Sequence, residues 1–181
     1  MSAIITIMAD LMIDIEGLAT GPDTTILTIA AQPFDPFGQG HYDRHFYTRV
    51  TLESQEDRKI SEATVQWWAT QPEPAREEAF GEKDRVPLET ALIGLSKIIR
   101  SCGRIWAQGP TYDMTILEHA YYSRGLPLPW QYYNVRDSRT VFRLWPDLPQ
   151  PPTSHHALED CRRQILMLQE TLRHFNIKEI G

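Results

Sequence analysis

The sequence predicts an α/β domain with a mixed sheet flanked by helices, and three observations predict it. Strand-like runs crowd the first third of the chain, helical periodicity alternates with short apolar runs thereafter, and 181 residues suffice for one domain with a genuine core. The apolar fraction of 41% is ordinary for a globular protein, which excludes disordered, collagen-like and membrane classes. One domain spanning residues 1–181, with no linker and no internal repeat, is the expectation.

The elements follow in order. Residues 3–12 are apolar but lack a basic leading segment, are interrupted by Asp10 and are too short to span a bilayer, so they read as a lead-in to the first strand. LMIDIE (residues 11–16) alternates as a strand does. TTILTIAAQPFD (residues 24–35) is rich in β-branched and apolar residues, stops at a DPFGQG turn, and returns as HYDRHFYTRV (residues 41–50), completing a three-stranded meander. Ser61 can cap a helix over SEATVQWWATQ, PEPAREEAF reads as a second short helix and EKDRVP as a surface connection. In PLETALIGLSKIIRSC the residues Leu88, Leu92, Leu95, Ile98 and Ile99 recur at helical spacing. RIWAQG reads as a buried strand and TYDMTILEHAYYSRG as a helix closed by Gly125. LPLPWQYYNVRD leads through a short extended piece into a helix from about Asp137 to Trp145, WPDLPQPPTS is too rich in proline for regular structure, and HHALEDCRRQILMLQETLRHF is a strongly periodic last helix.

Composition bounds the setting. Cys102 and Cys161 show no CxxC or Cys/His ligand spacing, which suits free thiols in a reducing compartment; with the absence of an apolar span this points to a cytoplasmic protein without membrane association. The net charge of −6 argues against broad coating of nucleic-acid duplexes.

In LMIDIE the strand period of two places Asp14 and Glu16 on one face, with Leu11, Ile13 and Ile15 on the other. Two neighbouring carboxylates on an apolar strand repel each other and are costly to bury unpaired. Either they face solvent on an edge strand, or a divalent cation lies between them, Mg²⁺ or Mn²⁺ by the preference of oxygen ligands for hard ions. Asp113 follows the buried RIWAQG strand in the first turn of a helix, where a plain N-terminal charge would also stand. In SHHALED, His155 precedes Asp160 by five residues.

Together these pieces read DxE on a first strand, an Asp after a later buried strand and HxAxxD opening a final helix. That order resembles the DEDDh 3′–5′ exonucleases of the RNase H-like superfamily. More narrowly it is similar to the phage and bacterial branch of exodeoxyribonuclease VIII-type and small exoribonuclease proteins. The residues carrying the narrower likeness are MIDIE and the GP that follows, ATVQWW, IWAQGPTYDMTIL, LPWQYYNVRDSRT and HHALED, from Met12 to about Gln164. The chain departs from family habit at Ala30 and Ala31, where a glycine is common, and at Gly17-Leu18-Ala19, where Thr-Leu-Gly is common. These departures touch packing and the loop beside the terminal nucleotide, not the carboxylates.

The resemblance implies an RNase H-like fold, a central mixed five-stranded sheet flanked by helices. It implies that Asp14, Glu16, Asp113 and Asp160 bind two Mg²⁺ or Mn²⁺ ions per site and that His155 is the general base on the attacking water. Four carboxylates engaged with metal would leave −2 on the rest of the surface. The register favours His155 over His156, although His156 stands where a related class keeps a tyrosine. The substrate implied is the 3′ end of single-stranded or overhanging DNA or RNA, released as nucleoside 5′-monophosphates, and the family habit is a homodimer. Gly17 and Leu18 are expected beside the terminal nucleotide. Of Trp67 and Trp68, about 100° apart on their helix, one belongs to the core and the other can stack on a base; the family segment draws attention to Trp68 and Gln71 without deciding which tryptophan is exposed. Arg136 and Arg139 are expected to grip phosphate or to serve a helix cap built on Asp137; Arg162 and Arg163 pose the same question. The competing expectations are a catalytically silent nucleic-acid or protein-binding module of the same fold, an endonuclease, and a small-molecule phosphodiesterase.

Overall fold

A computed structural model describes residues 9–181. The first part of the lead-in run, residues 3–8, lies outside the described residues. Strand β1 (Asp10–Gly17) is followed by β2 (Ile26–Phe34) and β3 (Phe46–Val50), each antiparallel to the one before, as the alternation and the turn between β2 and β3 predict. Helices α1 (Glu62–Ala69) and α2 (Glu73–Phe80) follow, α1 capped by the Ser61 side chain, which accepts from Thr64 N. Then come β4 (Arg85–Val86), α3 (Leu88–Ile99), β5 (Ile105–Ala107), α4 (Pro110–Ser123), β6 (Val135–Asp137), α5 (Ser138–Phe142) and α6 (Ala157–His174).

Among the described residues the sheet has six strands in the order β4-β3-β2-β1-β5-β6, one more than expected. The addition is β4, inside the stretch read as a surface connection: Arg85 and Val86 pair in parallel with Arg49 and Val50. Two residues carry no periodicity to read, and what holds them there is tertiary. The Arg85 guanidinium donates to Val50 O and Ala79 O. Helix α5 is shorter than expected, with Asp137 as its N-cap accepting from Arg139 N. Among the described residues no helix is long and apolar enough to cross a membrane.

β1 lies at the centre, and its alternation sorts two cores. Leu11, Ile13 and Ile15 point to one face, against Leu92 and Leu95 of α3 and Ile116 and Leu117 of α4. Met12 points to the other, with Ala30, Phe34 and Trp106, and is covered by Leu158, Cys161, Ile165 and Leu168 of α6. Each such fully buried aliphatic side chain contributes roughly 1.5–3 kcal/mol. Asp10, Asp14 and Glu16 share the Met12 face. Asp10, at the far end, is paired with Arg104 Nε at 3.0 Å and accepts a hydrogen bond from Trp106 Nε1 at 2.7 Å. Asp14 and Glu16 sit at the carboxyl end of β1 and, among the described residues, have no Lys or Arg paired with them. The fold thus gathers carboxyl groups that lack a basic partner at the C-terminal ends of the central strands, where sheets of this kind open a crevice.

Candidate active site

Among the described residues β1 and β5 pair in parallel at Leu11 and Met12 alone, so the β5-facing edge of β1 is open further along. The N-terminus of α4 fills that opening. Gly109, at φ +95°, turns the chain into the helix, Pro110 starts it, and Asp113 in the first turn accepts from Ile15 N at 3.2 Å. Asp113 is therefore both a helix-start charge and a carboxylate brought against β1.

α6 supplies the opposite wall. The Asp160 carboxylate accepts from Thr153 Oγ1 (2.6 Å), His155 N (2.9 Å), Ser154 N (3.1 Å) and Arg163 Nε (3.1 Å). These bonds hold the proline-rich segment against the helix start and hold His155 at φ +55°. A left-handed non-glycine backbone costs on the order of 1–3 kcal/mol and persists only where its surroundings enforce it. One turn beyond Asp160, Gln164 donates to Asp14 Oδ1 at 2.8 Å, while its Oε1 is buried with no hydrogen-bond partner among the described residues.

Ligand atoms of Glu16, His155 and Asp160 all lie within 4.8 Å of one another, and His155 Nδ1 is 4.0 Å from Glu16 Oε1. Crowding shows in the acidities. Burial, and then the charges of Asp113, Glu16 and Asp160, push the Asp14 carboxyl well above the usual carboxylate range. Burial, followed by Asp160 and Asp113, pushes Glu16 up to about 8. Burial pushes Asp113 up to about 7, against the opposing Ile15 N–H bond and the charge of Arg139. Burial holds His155 below the ordinary histidine value. Four converging carboxylates with a buried, unpartnered amide oxygen beside them form an oxygen-rich set suited to a hard divalent cation.

The cleft between these groups has a volume of about 240 Å³, and Gln108, Arg139 and Arg163 line one wall. A second cavity, of about 550 Å³, adjoins it beneath Ala19, Thr20, Trp67 and His155. Glu16 and Tyr112 line both.

The structure brings Asp14, Glu16, Asp113, Asp160, His155, Gly17 and Arg139 to these two spaces. His156 turns away: its ring packs on Tyr47 with centroids 5.3 Å apart and its Nε2 lies 3.7 Å from Glu78 Oε2. Three expected substrate contacts are displaced. Trp68 is 1% exposed, packed with Leu18, Leu27 and Phe80, and its Nε1 donates to Gly17 O at 3.1 Å, so it has no ring face to offer a base. The exposed neighbour, Trp67, lines the larger cavity instead. Leu18 is buried in the same cluster as Trp68, because the chain bends at Gly17 and turns this side chain inward. Arg136 lies on β6 away from the cleft, its guanidinium held by the carbonyls of Tyr133, Val135 and Gly181. Arg162 is engaged with Glu159 and Gln32, whereas Arg163 reaches the cleft.

Sequence reasoning passed over Gln164, Thr153, Gln108 and Tyr112. Gln164 had a signal, since it follows Asp160 by four residues on a helix and so shares its face. The other three depend on loop paths that no periodicity encodes.

The two tryptophans separate in a direct test. Trp68→Ala should cost about 3–5 kcal/mol in chemical denaturation, as large-to-small core changes do. Trp67→Ala should leave stability within about 1 kcal/mol and instead raise KM for a nucleic-acid strand, by the loss of a stacking contact. Equal destabilisation by both would contradict the burial seen here.

Comparisons with known proteins agree on the fold. Residues 9–172 match the family described as the 3′-5′ exoribonuclease Rv2179c-like domain. The chain is 23% identical over 206 residues to an exodeoxyribonuclease of Enterobacteria phage T4, covering 92% of this chain and 90% of that one. Among solved structures, it resembles the nuclease domain of 3′hExo, a DEDDh family member bound to rAMP, at TM-score 0.60 and 14% identity, over 98% of each chain. It resembles exonuclease X in complex with 5′-overhanging duplex DNA at TM-score 0.57 and 17% identity, over 93% of this chain and 94% of that one. S. pombe Pop2p in its Mg²⁺- and Mn²⁺-bound form gives TM-score 0.60 at 12% identity, covering 95% of this chain and 86% of that one.

Proposed function

The chain belongs to the Rv2179c-like 3′–5′ exoribonuclease domain family and is a nuclease of the DEDDh, RNase H-like kind; from that premise we propose that it removes nucleoside 5′-monophosphates stepwise from the 3′ end of single-stranded or 3′-overhanging nucleic acid. The observation that carries the proposal is the convergence of Asp14, Glu16, Asp113 and Asp160 on one cleft, with His155 in the adjoining Trp67 cavity and its ring nitrogen within 4.8 Å of Glu16 and Asp160 oxygens.

Asp14, Glu16, Asp113 and Asp160 would hold two Mg²⁺ or Mn²⁺ ions; the carboxyl pKa values pushed up by burial and crowding and the unpartnered Gln164 oxygen support this fit. Bound there, such ions would acidify the attacking water and offset charge in the transition state. Gln164 orients Asp14, and the 153–155 segment with Arg163 orients Asp160. His155 presents Nδ1 toward Glu16, and burial favours its neutral, proton-accepting form. It takes a proton from the water as the water oxygen bonds to phosphorus. The bond to the 3′ oxygen of the upstream nucleotide breaks, that oxygen takes a proton from solvent water, and protonated His155 returns its own to solvent. Arg139 and Arg163 stand at the wall where they can hold the phosphate. Trp67 offers its exposed ring to the terminal base, in a cavity of a size usual for small-ligand sites.

The test uses 5′-labelled single strands of DNA and RNA with Mg²⁺ or Mn²⁺. A ladder shortening from the 3′ end is the expected result, absent with Asp14→Ala. No cleavage with either metal, or cuts in a circular strand, would overturn the proposal.

A further inference from the structure

The four carboxylates of the cleft are not held alike. Asp14 accepts from Gln164, Asp113 from Ile15 N, and Asp160 from four donors. Among the described residues nothing donates to Glu16; His155 Nδ1, at 4.0 Å, is too far for a hydrogen bond. A ligating carboxylate ordinarily has such a donor, because the outer partner fixes its orientation toward the metal.

The strand register points to one. Glu16 lies directly opposite Thr28 of β2, as Asp14 lies opposite Ala30 and Met12 opposite Gln32, so Thr28 shares the face that carries the site. Directly opposed side chains of an antiparallel pair have Cβ atoms about 4.5–5.5 Å apart, within reach of a hydroxyl and a glutamate. Thr28 is 1% exposed, and its Oγ1 is buried with no hydrogen-bond partner among the described residues. A buried hydroxyl left without a partner destabilises the fold and calls for an explanation. Its neighbour on the other flank, Arg49 of β3, is engaged elsewhere, donating to Glu78 O, Glu78 Oε2 and Lys83 O. One carboxylate of the site thus lacks a donor, and directly across the strand pair one buried hydroxyl lacks an acceptor.

We infer that Thr28 is a positioning residue: with a divalent ion bound, its hydroxyl donates to the Glu16 carboxylate and holds it in the ligating orientation. Thr28 touches neither metal nor substrate. The inference rests on the metal-site reading proposed above.

The test measures Mn²⁺ affinity by calorimetric titration without nucleic acid, beside thermal melts in chelator. Thr28→Val keeps the shape and removes the hydroxyl. It should weaken Mn²⁺ binding about tenfold, the scale for loss of an outer partner. Its metal-free melting temperature should hold or rise, because a buried unsatisfied group is gone. A merely structural threonine would show the reverse, a lower melting temperature with Mn²⁺ affinity unchanged. Thr28→Ser restores the hydroxyl and should bind Mn²⁺ within about twofold of the unaltered protein, well inside the tenfold loss. Unchanged affinity in Thr28→Val, or equal weakening in Thr28→Ser, would overturn the inference and leave the exonuclease reading standing. Failure of the unaltered protein to bind Mn²⁺ and to cut any strand would overturn both. If Thr28→Val does not fold, Thr28→Ala carries the same expectation for Mn²⁺ affinity.

Discussion

His155→Ala should lower kcat by about 10²–10⁴-fold, the range for loss of a positioned general base, whereas His156→Ala should lower it only weakly. The two side chains are neighbours in sequence and face different surroundings. His155 presents Nδ1 to Glu16 Oε1 at 4.0 Å and rests edge-on against Trp67 with ring centroids 4.9 Å apart. His156 is the N-cap residue of α6, lies on Tyr47 and keeps Nδ1 buried with no hydrogen-bond partner among the described residues. Losing His156 removes packing, and its effect should appear in the melting temperature. Because His155 carries strained backbone, His155→Ala keeps the strain and isolates the ring, so its melting temperature should move little. Single-turnover cleavage of a labelled strand measures the first effect and a thermal melt the second. Equal loss of rate in both variants, or loss from His156→Ala alone, would remove His155 from the role.

The metal-free protein should lose stability as pH rises, and divalent cations should restore it. Glu16 and Asp113 have folded-state values of about 8 and about 7, above their ordinary values of 4.5 and 3.8. Between those limits the folded protein binds protons that the unfolded chain has released. Their contribution is therefore complete at acid pH and is lost as pH climbs through about 7 to 8. With a chelator present, the loss from pH 5.5 to 8.5 should be about 1–3 kcal/mol, read as a Tm decrease of about 3–10 °C. Mg²⁺ or Mn²⁺ should raise Tm more at pH 8.5 than at pH 5.5, because binding to the folded state needs deprotonated ligands. Asp14→Asn removes one of the repelling carboxyls yet can keep an oxygen for the Gln164 bond. It should flatten the metal-free pH dependence while abolishing cleavage. A Tm that rises with pH without metal, or a cation effect independent of pH, would show that the carboxylates are not coupled as described.

Much of the fold was legible in particular residues. The alternation of Leu11, Ile13 and Ile15 against Asp14 and Glu16 encodes both core and site, since successive side chains of a strand must point to opposite faces. Leu88, Leu92, Leu95 and Ile99 announce α3 by their spacing and are buried as it requires. β4 was not legible, because two residues carry no period and are held by pairing with β3 and by Arg85. The same divide runs through the cleft. Which carboxylates share a face of β1 follows from local geometry, and the order of the remaining acidic and histidine residues was sufficient to suggest the family.

Which tryptophan is exposed does not follow in that way. Adjacent helical residues point about 100° apart, and only the packing of α1 on Leu18 and Leu27, with the Trp68 bond to Gly17 O, sets the rotation that buries Trp68 and exposes Trp67. Arg136 and Arg139 divide likewise, one turned toward the Gly181 carbonyl and the other toward the cleft, by the path of β6 into α5. The sequence by itself determined the strand and its two carboxylates, because both rest on relations between near neighbours along the chain, while the order of the remaining acidic and histidine residues suggested the family. The tertiary structure alone decided which tryptophan, which arginine and which hydroxyl border the cleft, because those choices are made by segments tens of residues apart packing together.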